Sequence, residues 1–346
     1  MAGRLLIVTQ QVDKNDPILG FFHSWIIEFS SRLERVTVVC LQKGAYDFPE
    51  NVKVLSLGKE EGLSKFGYLL RFYKYIWNER KNYDSVFVHM NQEYVLLGAL
   101  LWKFFNKKIT MWRNHLVGNF LTRVSVMLSD KVFCTSDEAF LAKYKKNKIM
   151  PVGIDTKIFL RDKNIDMEPR SILFLSRISP VKRLELILDA LYILDKDNID
   201  FKLSIVGDPA SKDENYYKKI ETQAESLETR GKAIFSKGVP NSDAPKIFNK
   251  HEFFVNATQI GSFDKTLLEA MACESLLITS NTAVKNMIPP EFLFREGDAI
   301  DMAEKIKFAL SLTAEEKEKY RQFSKSHIKE HNLYHLATKL LKELLK

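Results

Sequence analysis

Short runs rich in β-branched residues alternate with stretches of helical periodicity along almost the whole chain, and this alternation restricts the fold more than any other feature. Strands separated by helix-length connections can be wired in parallel, and a parallel sheet then needs helices over both faces. A first series of predicted strands covers residues 5–9, 36–41, 52–57, 85–89, 108–112 and 131–135. The segment IMPVGID at 149–155 combines a last strand with Pro151 and Gly153, and the polar stretch RDKNIDMEPR after it reads as a linker. A second series follows at 171–176, 202–206, 233–236, 253–256 and 276–279. The tail from 313 to 346 has a helical pattern that divides near His331 and Asn332.

Each half therefore reads as a Rossmann-like α/β sheet of its own, and 346 residues suffice for two such cores. The longest uncharged apolar run, at 95–102, is far below the roughly 20 residues of a membrane span. The opening MAGRLLIVTQ runs into a strand pattern without a secretory cleavage site. Cys40, Cys134 and Cys273 are widely spaced in apolar contexts and read as reduced, buried thiols of a cytosolic protein. The net charge of +8 is uneven, because residues 1–150 carry 22 Lys and Arg against 14 Asp and Glu while the remainder is balanced at 30 and 30. A basic front half suits an anionic surface or an acidic substrate. No recognised nucleic-acid motif accompanies the charge, so nucleic acid is not expected as a partner.

Two places in the second half carry the chemistry. In GSFDKTLLEAMAC, residues 261–273, the first four residues are turn and cap types and the rest is helical. A helix start offers unpaired N–H groups and a positive dipole end, which puts Lys265 and Thr266 where a phosphate would be held. Glu269 lies further inside the helix and should serve a hydroxyl-rich group instead. About 90 residues earlier, the strand ILFLS runs into Arg177 and then SPVK with Lys182, two cations near the carboxyl end of a parallel strand. Together these read as one diphosphate site.

SRISPVKRLELILDAL, SIVGDP, VPNSDAPKIFNKHEFFVNAT and GSFDKTLLEAMAC, in this order, resemble the family 4 (group 1) retaining glycosyltransferases of the GT-B fold. YDSVFVHMNQEYVLLGA, MWRNH, SDKVFCTSDEAF and PVGIDTKIF agree more loosely in the front half. The resemblance implies two facing Rossmann-like domains: an acceptor domain at 1–153, a donor-binding domain at 154–320, and a terminal helix at 321–346 crossing back to the first. It implies a nucleoside-diphosphate sugar as co-substrate, with no further cofactor and no metal. Arg177 and Lys182 match the cations that neutralise the departing pyrophosphate, and Glu269 matches the family's ribose-binding Glu. Gly261 stands where the family has a first Glu, and Asp264 is the carboxylate available to substitute for it. Ser262, Phe263, Lys265, Thr266 and Leu267 complete the donor run, and Gly20, before a helix, is what remains of the family's first glycine-rich loop. Glu274 stands where the family has Gly.

His89 ends a front-half strand and coincides with a His that the family places beside the donor sugar; His115 in WRNH is similar. His327, His331 and His335 are spaced by four, but Asn332 interrupts them and no metal set is expected. The run KFGYLLRFYKYIWNERK at 65–81 interleaves six aromatic residues with Lys65, Arg71, Lys74, Arg80 and Lys81. One face of it suits a core and the other an anionic membrane interface. The expected function is a retaining hexosyltransferase acting on a glycan or lipid-linked acceptor, cytoplasmic and peripheral at the inner membrane face. A nucleotide-sugar-binding protein that has lost transfer, and a GT-B sugar-nucleotide epimerase, are the alternatives.

Overall fold

The structure, a computed structural model, describes residues 3–258 and 263–345. The chain divides into two compact units, 1–155 with 331–346, and 156–330. The first holds β1 (Arg4–Val12), β2 (Arg35–Lys43), β3 (Val52–Ser56), β4 (Ser85–His89), β5 (Lys108–Trp112), β6 (Lys131–Cys134) and β7 (Asn147–Ile149). They form one sheet in the order β3-β2-β1-β4-β5-β6-β7, with every neighbouring pair parallel. In the second unit β8 (Glu168–Leu175), β9 (Lys202–Val206), β10 (Ala233–Ser236), β11 (His251–Asn256) and β12 (Leu276–Thr279) form a sheet ordered β10-β9-β8-β11-β12, again wholly parallel. The strands agree with the sequence reading to within a few residues at their ends.

The helices of the first unit are α1 (Phe21–Ser30), α2 (Lys65–Asn78), α3 (Glu93–Phe104) and α4 (Phe120–Leu128). Those of the second are α5 (Leu184–Lys196), α6 (Glu214–Thr229), α7 (Ala244–Lys250), α8 (Lys265–Ala272), α9 (Ala299–Ser311) and α10 (Ala314–His331), and α11 (Leu333–Leu345) closes the chain.

Alternation along the first sheet's strands makes two cores, as a pleat of period two requires. Leu5 and Ile7 of β1 join Val36, Val38, Phe87 and Trp112 beneath α1 and α11. Leu6 and Val8 point the other way and join Val86, Val88, Ile109 and Met111 beneath α2, α3 and α4. Trp25 of α1 donates to the carbonyl of Gly153 at 3.1 Å, and the amides of Gly153 and Ile154 both donate to His331 O at 2.9 Å. Gly153 is at φ 78°, and a Cβ there would lie 2.3 Å from the Leu336 side chain and 2.9 Å from Trp25.

The tail departs from the expected boundary. The second unit extends to Glu330, so only α11 joins the first unit. Residues 314–330 stay with the second unit because Lys317 pairs with Glu252 at 2.9 Å, Arg321 donates to Glu274 O at 3.1 Å and Lys325 pairs with Glu274. The division between the tail helices falls at Asn332, whose side chain accepts from the amide of His335 at 2.7 Å. His327 and His335 thus stand on separate helices.

Glu274 lies at φ 63°, just past the end of α8. A left-handed residue at that position normally favours glycine. The Lys325 ion pair offsets part of the roughly 1 kcal/mol that a side chain costs there.

Leu340 of α11 is fully buried in the first unit. Leu340→Ala should lower stability by about 2–5 kcal/mol in denaturant unfolding, with the loss confined to the first unit's transition.

Candidate active site

Strand β8 leaves its sheet at Leu175, yet its pairing with the β9 side continues. Ser176 N donates to Val206 O and Ile178 N to Asp208 O, both at 3.1 Å, and Ile178 bridges Pro209. Gly207 makes this possible, because a Cβ there would lie 1.8 Å from the carbonyl oxygen of Ser176. Arg177 is exposed on this extension. One 3-10 turn, Pro180–Lys182, follows, and Arg183 at φ 50° redirects the backbone into α5.

The turn aims the side chain of Lys182 at Asp264, and the two form an ion pair with side chains only 15% and 10% exposed. Asp264 is the N-cap of α8 in an extended conformation. Its Oδ1 accepts from Thr266 N at 3.3 Å and from Thr266 Oγ1 at 2.8 Å. Its Oδ2 accepts from Lys182, from Asn256 Nδ2 at 3.3 Å and from Thr258 Oγ1 at 3.3 Å. Burial alone would raise its pKa. The charge of Lys182, its hydrogen bond and those of Thr266 outweigh that and hold the carboxyl down to about 2.

Glu269 stands further along α8 and is buried, with Asn241 Nδ2 donating to Oε1 at 3.4 Å. Burial pushes its pKa up, the charge of Lys265 and the Asn241 bond oppose this, and Asp264 adds to the rise. A carboxyl so placed accepts hydrogen bonds from hydroxyl groups and resists a second negative charge.

The structure thus brings Lys182, Asp264, Lys265, Thr266 and Glu269 together where β8 and β11 end. Three expectations need correction. Asp264 is no spare carboxylate, since both its oxygens cap α8 or hold Lys182. Thr266 N is already bonded to Asp264, so this amide is not open to a phosphate in the structure described. Leu267 is fully buried in the helix core, and its side chain does not line a donor site. Phe263 is half-buried, while Gly261 and Ser262 lie outside the described residues. The sequence reading also missed Asn241, Asn256 and Thr258; a polar residue on or just past a strand's carboxyl end was their signal.

The first unit has a separate cluster at its own carboxyl edge. His89 is buried at the end of β4, shares a hydrogen bond of 3.2 Å between Nδ1 and Thr9 Oγ1, and stacks on Phe22 with centroids 4.0 Å apart. Phe22 lies in the first turn of α1, which Gly20 starts. A Cβ on Gly20 would lie 2.4 Å from Asp16 O, and Asp16 Oδ1 in turn accepts from Ile18 N at 2.8 Å and Leu19 N at 2.6 Å. Gly20 therefore fixes a loop that delivers the ring covering His89.

Residues 155–329 match the family described as "Glycosyl transferases group 1". The chain belongs to that family. Among curated proteins this glycosyltransferase is similar to the alpha-monoglucosyldiacylglycerol synthase of Streptococcus pneumoniae, at 28% identity over 50% of the chain and 42% of the relative. It is also similar to the mannosylfructose-phosphate synthase of Agrobacterium fabrum, at 26% over 37% and 29%. The chain thus spans less than half the length of these relatives. Among solved structures it resembles Anabaena HepE, crystallised with UDP and glucose, at a TM-score of 0.79 with 15% identity over 99% of this chain and 100% of that one. The sucrose-phosphate synthase of Thermosynechococcus elongatus gives a TM-score of 0.77 with 15% identity over 98% of each chain. The architecture of this glycosyltransferase is therefore the GT-B one.

Asp264→Ala leaves Lys182 unpaired and α8 uncapped, which should cost about 2–4 kcal/mol of stability at neutral pH. The carboxylate contributes fully above its ordinary value of 3.8 and loses that contribution as pH falls towards about 2. Unfolding curves of the two proteins should therefore converge only across that acid interval.

Proposed function

We propose that this glycosyltransferase moves a sugar from a nucleoside-diphosphate sugar to an acceptor hydroxyl with retention at the anomeric carbon. The observation that carries the reading is the meeting of a cation-bearing turn after β8 with the N-terminus of α8, around Lys182 and Asp264. Bond breaking at the sugar leaves negative charge on the departing diphosphate. Arg177, Lys182, Lys265 and the positive end of α8 are the groups of this chain suited to stabilise it. Asp264 acts as a positioning residue that holds Lys182 extended towards the helix start. Glu269, with a raised affinity for its proton, is suited to the ribose hydroxyls. The departing phosphate is the base that accepts the acceptor's proton, so no metal and no further cofactor enters the scheme.

HepE was crystallised with UDP and with UDP-glucose, which supports a uridine nucleotide as the donor's leaving group. The likeness to a synthase named for a glucosylated diacylglycerol, together with the basic front half, supports a lipid-linked acceptor in glycolipid or cell-surface glycan synthesis at the cytoplasmic membrane face. Among the described residues no helix is long and apolar enough to cross a membrane, so the association would be peripheral. His89, at the carboxyl end of β4 and stacked on Phe22, keeps in this reading the role of the family's His beside the donor sugar. A second reading, a nucleotide-sugar-binding protein without transfer, is favoured by Gly261 in the place of the family's Glu and by Asp264 being engaged.

Arg177→Ala and Lys182→Ala should each lower turnover by about 10²–10³-fold while the circular dichroism spectrum stays that of the parent. Near-normal turnover in both would sink the assignment. UDP-sugar binding with no product from any acceptor would establish the second reading.

A further inference from the structure

Helices α2 and α3 each carry an apolar stripe on the side turned away from the first sheet. Phe66, Leu70 and Trp77 are exposed on α2, and Leu97, Leu100 and Phe104 on α3, at spacings that keep each set on one face of its helix. The inner faces are already filled by Phe72 and Ile76 on α2 and by Val95, Ala99 and Trp102 on α3. The outer stripes therefore add nothing to the core, and each side chain in them forgoes the free energy of burial.

The two stripes make one surface. Both helices connect strands of a wholly parallel sheet, so they run in the same direction and end at the edge opposite His89. Tyr73 Oη donates to Leu97 O at 3.1 Å, and the rings of Trp77 and Phe105 meet edge to face with centroids 5.4 Å apart. Phe104 lies against Phe105 at 5.5 Å and is 79% exposed, and Leu100, one turn before it, is 77% exposed.

Cations are built into this end of the surface. The Arg80 guanidinium lies 4.8 Å from the centre of the Trp77 ring, and its Nη1 donates to Trp77 O at 2.7 Å. Exposed Lys74 stands one turn from both Leu70 and Trp77, exposed Lys103 one turn from Leu100 and next to Phe104, and exposed Lys81 follows Arg80. The acids nearby are engaged or distant. Among residues 65–107, Glu79 is buried and paired with Lys53, and Asp84 is paired with Arg4. Glu93 starts α3, about 16 Å along the helix axis from Phe104. From the loop after α4, Asp130 accepts from Ile109 N at 2.7 Å.

This charge selects the occupant. A second copy bound through the same patch would set the surface against itself, cation upon cation, since such an interface is isologous. An anionic bilayer gains from both components: the apolar side chains enter the headgroup boundary, and the lysine stems lie along them with their ammonium groups at lipid phosphates. Tryptophan, with its amphipathic ring, favours that same boundary.

We propose that the outer face of α2 and α3 lies on an anionic bilayer, with Trp77, Leu100 and Phe104 in the headgroup region and Lys74, Arg80, Lys81 and Lys103 among the lipid phosphates. A lipid-linked acceptor, as read above, gives this docking its purpose, but vesicle binding is measured without any transfer.

The full chain should cosediment with phosphatidylcholine vesicles containing phosphatidylglycerol, and less so as salt is raised. Leu100→Gln with Phe104→Gln, which keeps a good helix former at each position, should weaken this by about tenfold or more. Lys74→Gln with Lys103→Gln should weaken it by about tenfold and flatten its salt dependence. Trp25, Trp102 and Trp112 are buried whereas Trp77 is 47% exposed, so a blue shift of the emission on adding vesicles reports Trp77 and should vanish in Trp77→Phe. The proposal is overturned if the parent ignores these vesicles, if either glutamine variant binds as well as the parent, or if the emission does not shift. A parent dimer in gel filtration that Leu100→Gln with Phe104→Gln abolishes overturns it too, by making the occupant a second copy of the chain. A UDP thermal-shift measurement on the parent and the variants keeps the two readings apart. An equal upward shift shows that a variant is folded, whereas no shift in any of them counts against the donor site and leaves the vesicle result to stand.

Discussion

A parallel sheet buries both its faces, and in this protein that requirement accounts for the path of the whole chain. The first sheet has α2, α3 and α4 over one face, supplied by the connections between its own strands. The other face receives α1 from those connections, and α1 alone leaves part of it bare. Helix α11 completes the cover with Leu333, Leu336, Leu340, Leu341 and Leu344, which pack against Leu5, Ile7 and Val36. The chain must therefore return from the second unit, and the return is fixed by backbone bonds from Gly153 and Ile154 to His331. The left-handed glycine at 153 is needed because Leu336 and Trp25 both close on its Cα.

In the second unit, the same wiring brings strand ends to one edge, and electrostatics decides what can be held there. Lys182 and Asp264 are 82 residues apart in sequence, and neither would be stable in its place alone. A buried lysine without a counterion costs several kcal/mol, and so does an unpaired carboxylate. Pairing lets both remain charged, and Asn256, Thr258 and Thr266 saturate the remaining acceptor positions of the carboxylate. Glu269 shows the opposite balance. Among the described residues Asn241 donates to it at 3.4 Å and Lys265 adds an opposing charge, and burial still outweighs both. Two carboxyls on one helix thus differ in character because Asp264 has Lys182 in direct contact, whereas Lys265 and Asn241 only partly offset the burial of Glu269.

The strands were legible from β-branched composition, and the break at Asn332 from a capping residue between two periodic runs, because both signals are local. The grouping of Arg177 and Lys182 with residues 264–269 was legible as a motif order. The state of Asp264 was not, because its partner lies on another strand's turn and only folding brings the two together. Leu267 was assigned to the donor run by its neighbours, whereas helical periodicity turns its side chain into the core. Residues 321–330 were assigned to the returning helix by continuity of pattern. Their attachment depends on Glu252 and Glu274, acids whose partners the sequence does not name. Glu274 departs from the family's glycine, and its left-handed backbone with a Lys325 counterion explains how the departure is tolerated.

The two layers over the first sheet differ for a reason that follows from their cover. The α1 and α11 layer is closed by side chains about 300 residues away in sequence, and Arg32, just past the end of α1, binds Thr338 and stacks over Tyr334 there. The α2 to α4 layer is closed by its own inner faces, which bury Phe72, Ile76, Val95, Ala99, Trp102 and Val126, together with Tyr83, Ala139 and Leu141 from the adjoining loops. A helix whose inner face already fills the core gains no stability from large apolar groups outside. Val117 and Phe120 add nothing to that core, yet Arg113, Asn119 and Phe140 are committed to holding their loop in one shape. Fixing a loop costs conformational entropy, roughly 1–2 kcal/mol per residue for the backbone. The shape of this loop is thus set by Arg113, Asn119 and Phe140 and not by burial of Val117 and Phe120.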